Sequence, residues 1–204
     1  MSTAKAPQSV ETTPAPQLAD TGPQTAAGKV LWHFTMSLDG FVAGLDHAMD
    51  WMTGFSFRAG LVEEYAATTG AVLGGRDGFD AFPDAGGVYG GAWQGPVFVH
   101  THHPDDAPPA PGVTFLDCDV AEAVRIGLAA AGGKNLEVLS PTIGRQLLEH
   151  DVQVDEIDLH IVPVLLGDGI RLFDNPGGTP VRLRLLNAED HTAAVNVRCR
   201  PVGT

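Results

Sequence analysis

Residues able to bind an anion occur where an apolar segment gives way to a helical one. The segment "LSPTIGRQLL", residues 139 to 148, has the pattern of a strand followed by a helix, with Ser140 as the N-cap and Pro141 at the first helical position. A capped helix start after a buried strand is a common place to bind an anion. Leu139, Ser140 and Thr142 are therefore candidate anion-binding residues, although a plain turn explains the same pattern.

A second candidate anion site lies in "AVLGGRDGF", residues 71 to 79. Gly74 and Gly75 follow a predicted strand, so their backbone N–H groups can approach a phosphate without obstruction by side chains, and Arg76 adds positive charge. Asp77 in the same turn would repel an anion. Any tight turn between a strand and a helix can have this composition.

Acid chemistry is suggested by "SLDGFVAGLDHAMDW", residues 37 to 51, which follows the first predicted strand. Ligands of open α/β sheets bind at the carboxyl edge, where this loop is expected to lie. Asp39 offers an acid or a hydrogen-bond acceptor, and Trp51 offers a flat apolar wall for a ring. The structural alternatives are a turn-forming Asp before Gly40 and a core tryptophan.

Two more strand ends carry polar residues. "VFVHTHHP" ends in Thr101, His102 and His103, for which an anion contact or a solvated loop is favoured over a metal site, because adjacent side chains at a strand end point in different directions. No metal site is predicted. "VPVLLGDGIRLFD", residues 162 to 174, leads into a second glycine-rich loop. Asp155 and Glu156 are adjacent on a strand and face opposite sides, which favours structural roles.

The elements that position these residues are predicted from apolar periodicity. Eight strands are expected, in the segments "VLWHFTMS", "AVLG", "PVFVH", "VTFLD", "LEVLS", "EIDLHIVPV", "VRLRLLNA" and "AAVNVRCR". Helical segments alternate with them, and Asp119 and Gly132 are predicted to begin and end one helix. This order predicts an α/β fold with a mostly parallel sheet covered on both faces. The short "NAEDHT" predicts a C-terminal antiparallel hairpin.

Composition limits the classes of function. The 204 residues include 12 Lys and Arg against 25 Asp and Glu, and the net charge of −13 argues against nucleic acid and anionic membranes as partners. Two cysteines without a CxxC motif, and the lack of an apolar span or signal segment, favour a cytoplasmic protein. Residues 1–28 contain few large apolar residues and are predicted to be a disordered tail, followed by one domain over 29–204.

Taken together, the segments "SLDGFVAG" with "DW", "VLGGRDGF", "VFVHTHHP", "VDEI" and "PVLLGDGIRLF" resemble the dihydrofolate reductase-like family that includes the reductase domain of bacterial riboflavin biosynthesis, the C-terminal domain of the bifunctional deaminase-reductase. The resemblance runs from about Val30 to Arg200. It implies a dihydrofolate reductase-like α/β fold of eight strands. It also implies an NADPH-dependent reductase, often a homodimer, that transfers a hydride to a C=N or C=O bond of a small pteridine- or pyrimidine-like substrate.

The resemblance also implies roles for single residues. Asp39 would be catalytic. The cofactor would be bound by Val42, Ala43, Gly74, Gly75, Arg76, Thr101, His102, His103, Leu139, Ser140 and Thr142. The substrate would be bound by Trp51, Leu166, Gly167, Asp168 and Gly169.

This chain departs from the family pattern at two positions. Leu139, Ser140 and Pro141 stand where many relatives have a Gly-Gly pair, and Gly78 stands where a Thr is usual. Pro141 has no N–H to donate, which weakens the expected phosphate site. Two alternative functions therefore stay open: a non-catalytic protein that binds a nucleotide or pteridine, and a reductase that uses flavin or deazaflavin.

Overall fold

The computed structural model describes residues 28–57, 59–82, 87–186 and 199. The chain divides into two units, one over residues 23–177 and one that comprises residues 1–22 and 178–204. All helices and strands given below lie in the first unit. The predicted tail, apart from Gly28, lies outside the described residues.

Six of the eight predicted strands form one parallel sheet in the order β5-β4-β3-β6-β1-β7. The strands are β1 (Val30–Ser37), β3 (Thr69–Gly75), β4 (Val97–His100), β5 (Val113–Leu116), β6 (Asn135–Leu139) and β7 (Glu156–Val162). Because all six are parallel, their carboxyl ends meet at one edge of the sheet. Asp155 and Glu156 have the structural roles that their spacing predicts: the Asp155 carboxylate accepts from the Val30 N–H at 2.7 Å, and Glu156 accepts from Lys29 at 2.6 Å.

Two short strands that periodicity did not predict form a separate antiparallel pair. β2 (Phe41–Ala43) pairs with β8 (Ile170–Arg171), with Phe41 opposite Arg171 and Ala43 opposite Ile170. Each is too short to show a sequence period. Their pairing joins the loop after β1 to the loop after β7, so the two loops with predicted ligand-binding residues are held together.

The helices of the described residues include four α-helices: α1 (Leu61–Thr68), α2 (Arg76–Ala81), α3 (Val120–Ala131) and α4 (Pro141–Glu149). The predicted caps are confirmed. The Asp119 carboxylate accepts from the Glu122 N–H at 2.8 Å, Ser140 Oγ accepts from the Ile143 N–H at 3.3 Å, and Gly132 ends α3 with a left-handed φ of 61°.

Helices α3 and α4 cover one face of the sheet, which is apolar. Its core includes Val30 and Trp32 of β1, with Leu136 and Val138 of β6. Two glycines allow close approach of the helices: a Cβ on Gly127 would lie 2.6 Å from Leu136 Cδ1, and one on Gly144 would lie 2.0 Å from Trp32 Cε2. We call this side of the sheet the apolar face.

The predicted C-terminal strands differ from what is observed. Residues 181–186 are irregular, and Val181 and Leu183 have exposed side chains. Alternating apolar residues favour a strand only where a neighbouring strand supplies hydrogen bonds, and residues 181–186 pair with no strand among the described residues. The rest of the predicted hairpin, over 187–198, lies outside the described residues. No helix in the described part of the chain is long and apolar enough to cross a membrane.

Candidate functional site

Three strand ends bring the predicted cofactor residues together at the carboxyl edge. Gly74 of β3 is paired with Leu139 of β6, and Gly75 is paired with His100 of β4. A Cβ on Gly75 would lie 2.8 Å from Ser140 Oγ. Only glycine leaves room for the serine here, so the two anion sites predicted separately from the sequence are in contact.

At the N-terminus of α4, one backbone N–H makes none of the local hydrogen bonds that cap the helix. The Ile143 N–H bonds to Ser140 Oγ, the Gly144 N–H bonds to the Ser140 carbonyl oxygen at 3.0 Å, and Pro141 has no N–H. Thr142, whose N–H is not used by these bonds, lines an open cavity. Its N–H and hydroxyl are donors for an anion at this helix start.

That cavity, the α4 cavity, has a volume of about 370 Å³. It is lined by Phe41, Pro141, Thr142, Arg145, Gly167, Asp168, Gly169, Ile170, Arg171, Leu172 and Asp174. Of the predicted cofactor residues Thr142 lines it, and of the predicted substrate residues Gly167, Asp168 and Gly169 do.

Two arginines give the α4 cavity its positive charge. Arg145 is paired with Glu149 at 2.7 Å, and both side chains are partly exposed. The Arg171 guanidinium lies 4.4 Å from the centre of the Phe41 ring. Asp168 and Asp174 line the same cavity and oppose an anion, so its charges are mixed.

Arg76 and the histidines after β4 form a second polar group at the same edge. The Arg76 guanidinium bonds to the Asp80 carboxylate at 2.7 Å and to the carbonyl oxygens of His103 and Asp106 at 3.2 Å each. Thr101 is buried, and its Oγ1 accepts from the His103 N–H at 3.1 Å. His102 and His103 are exposed. Arg76 thus fixes the loop that presents the two imidazoles.

Asp39 holds two loops together. Its carboxylate accepts hydrogen bonds from Ser37 Oγ at 2.6 Å, from the Leu166 N–H at 3.1 Å and from the Gly167 N–H at 2.8 Å. The Ser37 hydroxyl, followed by these backbone donors, lowers the pKa of Asp39 from 3.8 to about 2. The side chain is therefore a carboxylate at neutral pH and has no proton to donate.

The remaining residues that were predicted to bind cofactor or substrate lie near the two loops that Asp39 joins, or in the core. Ala43 is so close to the second loop that a Cβ on Gly169 would lie 2.2 Å from its carbonyl oxygen. Val42 is buried in the apolar core. Trp51 lies in a 3₁₀ turn, Asp50–Met52, and its buried indole N–H has no hydrogen-bond partner among the described residues.

A group of polar side chains that the sequence analysis missed is buried on the face of the sheet opposite the apolar face. Glu137 of β6 is fully buried, and its carboxylate accepts hydrogen bonds from Tyr89 and Thr69. His33 Nδ1 lies 3.8 Å from Glu137 and 3.3 Å from the Tyr89 hydroxyl. Tyr89 has a φ of 56°, which is uncommon for a bulky residue and marks a constrained backbone.

This group continues toward the edge strand β7. The Tyr65 hydroxyl donates to the Asp158 carboxylate and lies 3.2 Å from His160 Nε2. The Tyr65 ring stacks on His33 at 4.0 Å between centroids, which joins the two halves. Burial, followed by the nearby carboxylates, raises the pKa of both tyrosines above the ordinary value. We call these residues the polar network: His33, Tyr65, Thr69, Tyr89, Glu137, Asp158 and His160.

The polar network opens onto a second cavity, the β7 cavity, of about 360 Å³. It is lined by Phe55, Ser56, Phe57, Leu159, His160, Ile161, Val162 and Pro163. The Phe57 and His160 rings meet edge to face at 5.6 Å. In the described part of the chain, no group of three or more His, Cys, Asp or Glu side chains is arranged to hold a metal ion.

The polar network carries a weak sequence signal. His33, Glu137, Asp158 and His160 are polar residues inside otherwise apolar predicted strands. In a strand they alternate with core residues, so they share one face. Tyr65 and Tyr89 come from a helix and a loop, and no spacing in the sequence connects them to the strands.

Residues 28–196 match the RibD C-terminal domain model. The chain belongs to this family. That match covers most of the sequence and confirms the resemblance to riboflavin-biosynthesis reductases. Proteins of this kind are reductases, which supports an enzyme. No functionally curated protein is significantly similar to the chain.

Several solved structures have a similar fold. A protein from Shewanella sp. PV-4 described as a riboflavin biosynthesis protein is 21% identical, with a TM-score of 0.59, 74% of this chain covered and 86% of the other. The deaminase and 5-amino-6-(5-phosphoribosylamino)uracil reductase of Thermotoga maritima is 17% identical, with a TM-score of 0.53, 80% of this chain covered and 54% of the other. One form of Acinetobacter baumannii RibD is 14% identical, with a TM-score of 0.51, 84% of this chain covered and 56% of the other.

This chain therefore spans about half the length of the Thermotoga maritima and Acinetobacter baumannii proteins. The predicted dihydrofolate reductase-like α/β fold with a mostly parallel sheet is confirmed, and the antiparallel pair that is observed is β2 with β8. At these identities the likeness concerns the fold alone.

Proposed function

We propose that the protein is an NADPH-dependent reductase that transfers a hydride to a C=N or C=O bond of a small pyrimidine- or pteridine-like substrate. The observation that carries the proposal is the α4 cavity, in which the start of α4, two arginines and the loop 167–169 meet in a chain of the RibD C-terminal domain family. Cytoplasmic location and a homodimer belong to the same proposal.

The residues of the α4 cavity fit the phosphates of a nicotinamide dinucleotide. Thr142 offers an N–H and a hydroxyl at a helix start, and Arg145 and Arg171 offer charge-assisted hydrogen bonds. The cofactor would supply the hydride. Pro141 and the two aspartates of the cavity weaken this site, so the arginines carry more of the binding than in a relative with a Gly-Gly pair.

NADPH rather than NADH is proposed as the donor because imidazoles are presented at the end of β4. His102 and His103 are exposed, next to an Arg76 side chain that is held by Asp80. An imidazolium favours a phosphate more than a neutral imidazole does, and unperturbed histidine has a pKa of about 6.5. A preference for NADPH that rests on these residues should therefore be stronger at pH 6 than at pH 8.

The substrate class follows from the relatives. The Thermotoga maritima protein is a 5-amino-6-(5-phosphoribosylamino)uracil reductase. We propose an acceptor of the same chemical kind, a pyrimidine with an attached sugar or a related heterocycle, for this chain.

Binding and turnover of defined compounds test the proposal. NADPH and NADH are titrated against tryptophan fluorescence, and oxidation of NADPH is followed with 5-amino-6-(5-phosphoribosylamino)uracil as the acceptor. Arg145→Gln and Arg171→Gln are each expected to raise the Kd for NADPH about 10-fold through loss of one charge-assisted hydrogen bond. Arg125→Gln is the matched control, because Arg125 is exposed on α3, lines neither cavity and pairs with Glu122. Equal affinities in all four proteins would overturn the assignment of the cavity.

The second candidate is a non-catalytic protein that binds a nucleotide or pteridine. It is favoured by Pro141 at the helix start and by the ionised Asp39, which has no proton to give. Saturable NADPH binding without oxidation by any pyrimidine or pterin acceptor would support it. Saturable binding of flavin mononucleotide in place of both nicotinamides would instead support the flavin-dependent alternative.

A further inference from the structure

Reduction of a C=N or C=O bond needs a proton as well as a hydride. The hydride and its electron pair go to carbon, and the nitrogen or oxygen must then gain a proton. Asp39, the acid predicted from the sequence, is ionised and accepts hydrogen bonds from three groups. The reaction proposed above therefore takes its proton from a donor other than Asp39.

Among the described residues that line the two cavities, one is a histidine. The α4 cavity has arginines and aspartates, whose ordinary pKa values lie far from neutrality, whereas the β7 cavity has His160. Histidine is the side chain whose unperturbed pKa, about 6.5, suits proton transfer near neutral pH. His160 is in this respect the best placed general acid.

The surroundings of His160 hold its ring. Tyr65, on α1, lies between His160 Nε2 and the Asp158 carboxylate, donating to the carboxylate and able to accept from the imidazole. His33 of β1 lies edge to face with His160 at 5.0 Å, and Phe57 lies edge to face with it at 5.6 Å. The fully buried Glu137 follows beyond His33 and Tyr65, so the charged groups of the network near His160 include two carboxylates.

Burying this many polar groups costs free energy, and the other face of the same sheet shows that the fold does not require it. The Tyr65 hydroxyl links Asp158 to His160 within the network. A hydroxyl in this position fixes the direction of a hydrogen bond and couples the carboxylate to the imidazole.

We propose that His160 is the general acid of the reductase, and that Tyr65 and Asp158 are positioning residues that orient it toward a flat ring bound in the β7 cavity. This rests on the proposed function. In the step, a reduced nicotinamide gives a hydride to the acceptor carbon and is oxidised. The imidazolium of His160 loses a proton to the acceptor nitrogen or oxygen, becomes neutral and is reprotonated from solvent. Phe55 and Phe57 supply apolar walls for the ring, and Ser56 supplies a polar group.

The test compares His160→Gln, Tyr65→Phe and Asp158→Asn with the parent and with His150→Gln, a control at an exposed histidine after α4. Turnover of NADPH and 5-amino-6-(5-phosphoribosylamino)uracil is measured from pH 5.5 to 9. The parent is expected to lose activity as pH rises through the histidine pKa. His160→Gln should lower kcat about 100-fold or more, abolish that pH dependence and leave the Kd for NADPH within about 3-fold. His150→Gln should match the parent.

A second measurement does not depend on turnover. The pKa of His160 is read from its imidazole C–H signal in proton NMR, assigned by its loss in His160→Gln. Tyr65→Phe and Asp158→Asn are each expected to lower that pKa by about 0.5 or more, because the imidazolium loses a hydrogen-bond acceptor or a nearby negative charge. This titration reports whether Tyr65 and Asp158 act on the His160 ring, and a fall in kcat at unchanged Kd for NADPH in the same variants separates positioning from a purely structural role.

The outcomes separate the two proposals. A parent protein that oxidises NADPH with the uracil substrate while His160→Gln retains its rate and pH profile overturns the role of His160 and leaves the reductase intact. An unchanged His160 titration in both Tyr65→Phe and Asp158→Asn overturns the positioning role. A parent that binds NADPH but reduces no acceptor overturns the proposed function, and the assignment of His160 fails with it.

Discussion

The two faces of the parallel sheet are both buried, yet they have opposite chemistry. On β1, Trp32 packs under α4 in the apolar core, while the next residue, His33, points into the polar network. On β6, Leu136 packs against Gly127 of α3, while Glu137 accepts hydrogen bonds from two hydroxyls. Neighbouring residues of one strand thus belong to two different kinds of interior.

The difference separates what stabilises the fold from what is available for chemistry. Burial of apolar area under α3 and α4 stabilises the sheet with little demand for hydrogen-bond partners, although the buried Trp32 indole N–H has none among the described residues. The polar network must satisfy every buried donor and acceptor, and a lost partner leaves a costly unpaired group. We therefore expect substitutions on the apolar face to act through volume, and those on the polar face to act through hydrogen-bond partners.

The largest effect is expected on the apolar face. Leu136→Ala removes a fully buried side chain that fills the space above Gly127, and should lower the free energy of unfolding by about 2–5 kcal/mol. Urea denaturation measures it. Leu45→Ala is the control, because Leu45 is 64% exposed and its loss should change stability by less than about 0.5 kcal/mol. A loss of under about 1 kcal/mol for Leu136→Ala would mean that the face repacks freely.

On the polar face, stability should depend more on the hydrogen-bonding capacity of the new side chain than on its volume. Glu137→Leu has a similar volume but removes the carboxylate acceptor of the buried Tyr89 hydroxyl, which should cost about 1–3 kcal/mol, whereas the Thr69 hydroxyl keeps the Tyr65 carbonyl oxygen at 2.7 Å. Glu137→Gln keeps an acceptor oxygen and should cost less than the Leu variant. The two variants are compared by urea denaturation at pH 7. A more stable Leu variant would show that the network is dispensable for folding and that its charge is a net burden.

The sequence predicts the apolar face better than the polar face. Six strands, both helix caps and Gly132 follow from local patterns, because caps and strands depend on neighbours within a few residues. β2 and β8 were missed because strands of three and two residues have no period.

The candidate site was predicted only in part. Gly75 and Ser140 were each identified as anion-site residues from their own turns, but their contact depends on strand order, which neither turn contains. Asp39 was identified as an acid because it is a carboxylate in a loop at a strand end. Its hydrogen bonds to Leu166 and Gly167, more than a hundred residues away, make it a loop clamp in the structure.

The two N-caps of the apolar face are expected to differ according to burial. Ser140 is buried beside Gly75, so Ser140→Ala leaves the buried Ile143 N–H unpaired and should cost about 1–2 kcal/mol. Asp119 is exposed, water can replace its carboxylate, and Asp119→Ala should cost about 0.5–1 kcal/mol. Thermal and urea unfolding of both variants and of the double variant measure this. Equal losses would show that burial adds nothing to the Ser140 cap.

The smallest expected effect is the contribution of Asp39 to stability as a function of pH. It bears most directly on which residue is the general acid. Its pKa is lowered from 3.8 to about 2 in the folded protein, so folding favours the carboxylate. The stability contributed by this group is then fully present above about pH 4 and is lost as pH falls toward 2. The difference in urea midpoint between the parent and Asp39→Asn should therefore be largest at pH 5 and should close by about pH 2.

Other carboxylates titrate in both proteins over this range, so their contributions cancel in the difference between parent and variant. A difference that stays constant from pH 5 to 2 would mean that Asp39 is not held as a carboxylate by Ser37, Leu166 and Gly167. It would also return Asp39 to consideration as the acid. A difference that closes in acid would place its titration well below neutrality, and any loss of turnover between pH 6 and 8 must then come from another group. Among the described residues that line the two cavities, His160 is the one histidine, and histidine is the residue type that ordinarily titrates between pH 6 and 8.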